Sequence, residues 1–507
     1  MSQTKKSRNG KPATRKSKGG TVSGPARLSG RPVNVIAVDL GAESCRVSLA
    51  SWNKAGLTLQ TIYRFPNAPI QIHQHLYWDI AAIRKGVLTG VVMCAEQAGG
   101  PIDSIGVDGW AVDYVRLNRD LLPLSNPFCY RDPRTESPQH EVWQKISPAR
   151  IYSITGIQHL RFNTLYQLYA DQCAQLPSGT KWLNIPEYIL SFLGGLPVSE
   201  YTNATHTQML NAESHNWSKE IFEAAGLNLE TAPNVVPPGT VLGTLSCSLL
   251  THPSFKKTIL IAPACHDTGS AVAGIPADGD EWAFISSGTW SLVGTPLPQV
   301  CSSESAMSFN FSNEGGLGGQ IRFLKNVNGM WLLQECLRHW QKEGARWDIP
   351  ALIKKCETLS TPAAILDVDD PSLLLQGAMP ERINDCLLKN GASPLHASAA
   401  NAPGFANLIF HSLAARYDEV LSQIRSVTGK APKHIYIVGG GSRNQFLNGL
   451  IADRTKLEVH RGPVESSLIG NLAVQFAVLE GDRTTRSGVN AQSTRRWACK
   501  LSAASLN

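Results

Sequence analysis

Two aspartates, each placed where an apolar strand runs out, carry the strongest chemical signal in this chain of 507 residues. The stretch Ile259–Gly274 opens with Ile259-Leu260-Ile261-Ala262, an apolar run that reads as a buried strand. It turns through His266-Asp267-Thr268 into small residues suited to a closely packed helix. Ligands of open α/β sheets bind beyond the carboxyl ends of strands, so Asp267 can face a cleft and take a proton. The competing role is a helix cap that accepts backbone N–H bonds. Asp39 ends the strand Val35-Ile36-Ala37-Val38. A carboxylate there suits Mg²⁺, directly or through water, because the ion takes oxygen ligands and keeps several waters. The competing reading is a turn-forming Asx residue.

Three strand-to-turn junctions bend through small residues: Gly41-Ala42, Gly288-Thr289 and Gly439-Gly440-Gly441. With no Cβ in the way, backbone N–H groups can close on phosphate oxygens. Ser44, Ser287 and Thr289 add hydroxyl donors, and Arg46 can balance charge. Neither a G-x-x-x-x-G-K-[ST] loop nor a G-x-G-x-x-G turn opening a helix occurs. A donor cradle, a carboxylate for a metal and a base for an attacking hydroxyl are the parts phosphoryl transfer needs.

The elements that must position these residues form two similar units. In the first, Asp39–Ser44 turns the Val35–Val38 strand into Val47–Ala50; in the second, Ser286–Thr289 turns Trp282–Ile285 into Trp290–Val293. Apolar strand, small-residue turn and apolar strand recur some 250 residues apart, which suggests a duplicated domain plan. Helices are expected over Ile80–Ala98, Tyr152–Gln175, Glu187–Gly194, the Phe405–Val427 stretch, from Asn444, and over Ser466–Glu480. The chain divides as 1–33, a disordered basic tail; 34–277; 278–482; and 483–507, a polar tail that frays. At this length two or more domains are expected.

The net charge of +7 invites a nucleic-acid reading, but nine Lys/Arg and no acid lie between Met1 and Asn34, leaving 38 basic against 40 acidic residues. The basicity belongs to a Gly/Ser/Pro-rich segment, so no specific nucleic-acid partner is expected. No apolar run approaches the roughly 20 residues that span a bilayer, and the basic start has no apolar core of a secretory signal. Eleven scattered cysteines without a C-x-x-C pair fit reduced thiols, hence a cytoplasmic protein.

Ten blocks in collinear order resemble the FGGY carbohydrate kinases of the actin/Hsp70/hexokinase superfamily. They are Val38–Arg46 (VDLGAESCR), Ser104–Tyr114 (SIGVDGWAVDY), Tyr130–Thr135 (YRDPRT), Gly156–Ala170 (GIQHLRFNTLYQLYA), Glu200–Gln208 (EYTNATHTQ), His266–Val272 (HDTGSAV), Ser286–Leu292 (SSGTWSL), Asn313–Gly316 (NEGG), Leu324–Gln334 (LKNVNGMWLLQ) and Val438–Asn448 (VGGGSRNQFLN). The resemblance implies an α/β fold with two ribonuclease-H-like domains flanking a cleft, sugar mostly on the first and ATP mostly on the second. It implies that Ala42, Glu43, Ser44, Cys45, Arg46 and Thr289 line the phosphates, and Gln334, Gly440 and Gly441 the nucleotide. Ala111, His266, Asp267, Thr268 and Asn326 match ketose-contacting positions, with Asp267 the base. The implied reaction moves the γ-phosphate of ATP, with Mg²⁺, to O1 of L-rhamnulose. Kinases of neighbouring ketoses such as L-fuculose or L-xylulose, and a non-catalytic ATP- and sugar-binding regulator, are the alternatives. A monomer or homodimer is expected.

Two positions depart from the family pattern. Cys45 stands where the phosphate turn usually has Gly, which costs about 1 kcal/mol or more if that position needs a positive φ. Ala111 stands where Gly usually follows the Trp of the sugar strand, narrowing the pocket by a methyl group. Trp110 and Tyr114 could stack on an apolar sugar face or pack the core.

Overall fold

The structure, a computed structural model, describes residues 31–53, 56–375, 377–482 and 488–504. Two six-stranded sheets organise it. The first contains β1 (Val33–Leu40), β2 (Ser44–Asn53), β3 (Gly56–Pro66), β4 (Ile102–Gly109), β5 (Thr240–Thr244) and β6 (Ile259–Ala262), in the order β5-β6-β4-β1-β2-β3. The second contains β7 (Trp282–Ser287), β8 (Trp290–Leu297), β9 (Ser312–Gly315), β10 (Ile321–Asn328), β11 (His434–Val438) and β12 (Glu458–Arg461), in the order β9-β10-β8-β7-β11-β12.

The duplicated plan is visible in the pairing. β1 pairs antiparallel with β2, and β2 with β3, while β4 and β6 add in parallel on the other side of β1. In the second sheet β7-β8-β10 form the same antiparallel run and β11 and β12 add in parallel. β1 is buried along its whole length, and its middle, Val35–Val38, is a continuous apolar run because helices cover the sheet.

Two helices at the ends of equivalent strands lock the halves together. α1 (Asp267–Ala273) follows β6, and α2 (Ser466–Leu479) follows β12. α2 is buried along its length, packing Leu468, Leu472 and Phe476 with Val35 and Ala37 of β1. The two helices touch backbone to backbone: a Cβ on Gly470 would lie 1.8 Å from the Ser270 carbonyl oxygen. Only glycine permits that approach.

Three expectations need correction. The stretch expected to fray after Arg483 contains a helix, α3 (Ala491–Ala504), with Trp497 fully buried and stacked 4.7 Å from Phe476. Thr494, Trp497, Ala498 and Leu501 recur at helical spacing, so one apolar face docks although the composition is polar. Of the basic segment expected to be disordered, residues 1–30 lie outside the described residues, but Arg31 pairs with Asp103 and Val33 begins β1. The single helix expected over Tyr152–Gln175 is two, Pro148–Thr155 and Thr164–Cys173, because Gly156 at φ 64° ends the first in a left-handed cap.

Candidate active site

A cleft of about 1050 Å³ runs between the sheets, over the carboxyl ends of β1, β4, β6, β7 and β11. Asp267 opens α1 at its first turn, and His266 precedes it as a residue with no side-chain capping bond. The carboxylate is about one-third exposed and lines the cleft. Oδ1 accepts a bond from Thr268 Oγ1 at 3.1 Å and lies 3.4 Å from His266 Nε2. Asp267 therefore spends its acceptor on a side-chain hydroxyl and its face on the cleft, rather than capping the helix.

Asp39 is the buried counterpart, 4 % exposed at the end of β1. Its Oδ2 accepts a bond from Ser467 Oγ at 2.8 Å and stands 3.7 Å from Arg46 Nε. Burial pushes its pKa up, against the pull of Arg46 and Ser467. On the neighbouring strand Asp108 is fully buried and raised well above the usual range, again by burial first and Asp39 second. It accepts a bond from Asn471 at 2.6 Å, while its Oδ1 has no partner among the described residues. Asp39 and Asp108 sit side by side in register, and the unpartnered buried oxygen of Asp108 beside the Asp39 carboxylate is the donor type a divalent cation takes. Asp39 lines the cleft and offers a carboxylate oxygen of the kind Mg²⁺ takes, directly or through water.

The opposite wall is made of backbone and hydroxyls. Ser286, Ser287, Gly288 and Thr289 bend from β7 to β8, and Gly439–Gly441 follow β11. A Cβ on Gly441 would lie 2.0 Å from Ser287 Oγ, so the glycine run lies directly on the β7 end. Ser287 Oγ is buried without a partner among the described residues. Thr289 Oγ1 donates to Glu43 Oε1 at 3.3 Å, joining the turns of the two hairpins across the cleft. Arg46 pairs with Glu465.

Of the residues expected at the site, Asp39, Ala42, Glu43, Ser44, Arg46, Ala111, His266, Asp267, Thr268, Thr289, Asn326, Gln334, Gly440 and Gly441 all line this one cleft. Cys45 does not. Its side chain points from β2 into the first core, fully buried, with Sγ 3.7 Å from the Gly41 carbonyl oxygen. It is not among the residues at positive φ, so the strain expected for a Cys in a glycine position is absent. Trp110 lines the cleft and bonds through Nε1 to Asp113 at 3.1 Å. Tyr114 packs in a separate core with its hydroxyl 2.5 Å from Asp171. Asn326 is held from the other half: its backbone N–H and Nδ2 both donate to Gln158 Oε1 at 3.0 Å.

The sequence reading missed Tyr130, Phe162, His206, Trp290, Arg443 and Ser467, all on the cleft, and the helix Ile349–Cys356, whose Ile349, Pro350 and Ile353 face it. Tyr130 and Phe162 lie on turns, where aromatic residues carry no periodic signal, and His206 ends a helix of only six residues, too short to show one. Ring centroids of Tyr130 and Phe162 are 5.5 Å apart, and Phe162 and Trp290 6.1 Å, forming an aromatic wall beside Ala111.

Two six-stranded sheets of matching topology face each other over a cleft of carboxylates, glycines and hydroxyls, a ribonuclease-H-like α/β fold of the actin and hexokinase type. The chain belongs to the FGGY family of carbohydrate kinases: the family's N-terminal domain matches residues 34–274 and its C-terminal domain residues 283–479. It is an ATP-dependent sugar kinase. It is 38% identical over 449 residues to the rhamnulokinase of Halalkalibacterium halodurans, covering 88% of this chain and 93% of the relative. To the rhamnulokinase of Bacteroides thetaiotaomicron it is 36% identical over 467 residues, covering 91% and 94%. The crystal structure of ligand-bound xylulose kinase from Lactobacillus acidophilus has the same fold, with a TM-score of 0.71 at 16% identity over 93% of this chain and 97% of that one. No helix among the described residues is long and apolar enough to cross a membrane.

Proposed function

We propose that this chain phosphorylates L-rhamnulose at O1, giving L-rhamnulose 1-phosphate and ADP. The observation that carries the reaction is Asp267: Oδ1 is engaged by its own neighbours while no donor among the described residues reaches Oδ2, which is left for the sugar. As O1 bonds to the γ-phosphorus, the bond from that phosphorus to the β,γ-bridging oxygen breaks and ADP leaves with the electron pair. The O1 proton passes to Asp267 Oδ2. Because the transition state is loose, much of that proton loss is late, and positioning counts beside basicity. Mg²⁺ held at Asp39 would neutralise charge developing on the phosphates. The backbone of Gly288–Thr289 and Gly439–Gly441 offers N–H groups to phosphate oxygens, and Ile349, Pro350 and Ile353 offer an apolar face to a base.

Two observations support the sugar. The relatives are rhamnulokinases over most of their length. The aromatic wall of Tyr130, Phe162 and Trp290, with Trp110 on the same cleft, offers apolar ring faces suited to a sugar whose sixth carbon is a methyl group. The regulator reading loses its one support, because Cys45 lies in the core and leaves the phosphate turn open. ADP release measured with L-rhamnulose, L-fuculose and L-xylulose tests the proposal. L-rhamnulose should give the highest kcat/KM, and equal or greater efficiency with either competitor would refute it.

A further inference from the structure

Behind the wall of the cleft lies a buried ionic cluster that the reaction above does not use. Glu314 on β9 and Arg322 on β10 belong to the second sheet and are 0 % and 2 % exposed. They meet His266 and His206 of the first half. Arg322 Nη1 lies 3.1 Å from Glu314 Oε2, and Arg322 Nε donates to the Gly315 carbonyl at 2.8 Å. Glu314 Oε1 lies 3.3 Å from His206 Nε2, and Oε2 lies 3.5 Å from His266 Nδ1. Burial opposes the charge on Glu314, but His206 and Arg322 hold its pKa well below the usual carboxylate range. β9 cannot slide away from this contact. Gly315 N–H donates to Thr205 Oγ1 at 3.0 Å, and a Cβ on Gly315 would lie 2.4 Å from the Tyr201 ring.

The decisive contact is Arg322 Nη2 to His266 Nδ1, at 3.2 Å. A guanidinium has donors and no acceptor, so the nitrogen facing it must present its lone pair. A ring whose Nδ1 accepts from a guanidinium keeps that nitrogen unprotonated and is neutral. A neutral ring with a bare Nδ1 carries its proton on Nε2, the nitrogen 3.4 Å from Asp267 Oδ1. Thr268 already donates to that same oxygen.

We propose that Arg322 and Glu314 are positioning residues for the phosphoryl transfer: they fix His266 as the Nε2–H tautomer, which directs its proton at Asp267 Oδ1 and leaves Oδ2 as the oxygen that receives the sugar proton. The proposal rests on Asp267 being the base. It means that the second half of the chain sets the geometry of a base carried by the first. Glu314 supplies the counter-charge that keeps a buried guanidinium in place. Without Arg322, Glu314 would itself take the Nδ1 proton, and a bare Nε2 would then face the carboxylate. His206, His266 and Glu314 also have the donor types of a metal site. The guanidinium already occupies the position of the cation, and a divalent ion beside it would meet a like charge.

The test is ¹⁵N NMR of the full-length protein with labelled histidine, His266 being assigned by the signal lost in His266→Gln. The wild type should show His266 protonated at Nε2 and bare at Nδ1. An Nδ1–H tautomer, an imidazolium or a stoichiometric bound transition metal in the wild type would overturn the proposal, and none of these needs a variant of the cluster to fold. In Arg322→Met the tautomer should switch and kcat fall about 10–100-fold, the scale of loss when outer partners that orient metal-bound histidines are removed, with the Kd for ATP unchanged. A folded Arg322→Met protein with the wild-type tautomer and rate would also overturn it. An active Asp267→Asn protein would instead defeat the assignment of the base, leaving the tautomer result to stand by itself.

Discussion

The two walls of the cleft descend from one strand plan and have opposite chemistry. At the ends of β1 and β6 the first half carries Asp39 and Asp267; at the equivalent end of β7 the second half carries Ser286 and Ser287, and after β11 three glycines. Buried carboxylates are costly unless something compensates them, and the first wall holds two, Asp39 and Asp108, whose pKa values are raised first by burial and then by neighbouring carboxylates. The ends of β7 and β11 present hydroxyls and glycines instead, open to backbone N–H approach. On the proposed reading one wall receives a cation and a proton, the other an anion. The same fold serves both because side chains at strand ends, not strand order, decide which partner is received. Within the first wall, Asp39 and Asp267 differ in the same instructive way. Asp39 is buried and bonded by Ser467, which suits a fixed metal ligand, whereas Asp267 is one-third exposed with one oxygen free.

Substitutions at the two walls should separate these roles. The largest effect is expected at Asp267→Asn, which can hold a hydroxyl but not take its proton. kcat should fall about 10²–10⁴-fold, with little change in sugar Kd by calorimetry. Asp39→Asn should lower kcat about 10²–10³-fold, the scale of losing one preorganised electrostatic contact, and raise the Mg²⁺ concentration needed for half-maximal rate. Loss of rate with an unchanged Mg²⁺ titration would remove Asp39 from the metal. On the opposite wall, Gly441→Ala puts a Cβ against Ser287 and must shift the glycine run. Overpacking of this kind costs about 1–3 kcal/mol, so the KM for ATP should rise about tenfold while sugar Kd stays constant. The smallest kinetic effect is expected at Cys45→Gly. It empties a buried position in a strand and should lower urea stability by about 1–3 kcal/mol, with kcat and KM within about twofold.

Much of this was legible in the sequence because apolar runs that end in Gly, Ser or Asp mark strand ends, and strand ends make the cleft. The hairpins at Asp39–Ser44 and Ser286–Thr289 and the glycine run after Val438 could be placed on that signal alone. Which way a side chain points was not legible at Cys45: a residue one place beyond the turn alternates to the core face of β2. The ion cluster was also hidden. Glu314 and Arg322 lie on neighbouring strands with His266 some 50 residues earlier, and no local pattern shows that such residues meet. The helix Ala491–Ala504 was missed because four inward residues are diluted by ten others, mostly polar or small.

Asp267 is proposed to take the proton of O1 while phosphate from the opposite wall arrives there. Carbon-13 NMR of the product formed from ATP and L-rhamnulose labelled at C1 tests it most directly, run in parallel with wild type and Asp267→Asn. The account predicts that the wild-type C1 signal becomes a doublet through coupling to phosphorus, and that the variant shows no doublet over the same time. A C1 signal that stays a singlet while sugar phosphate accumulates, or a doublet that grows at a near-normal rate in folded Asp267→Asn, would contradict it.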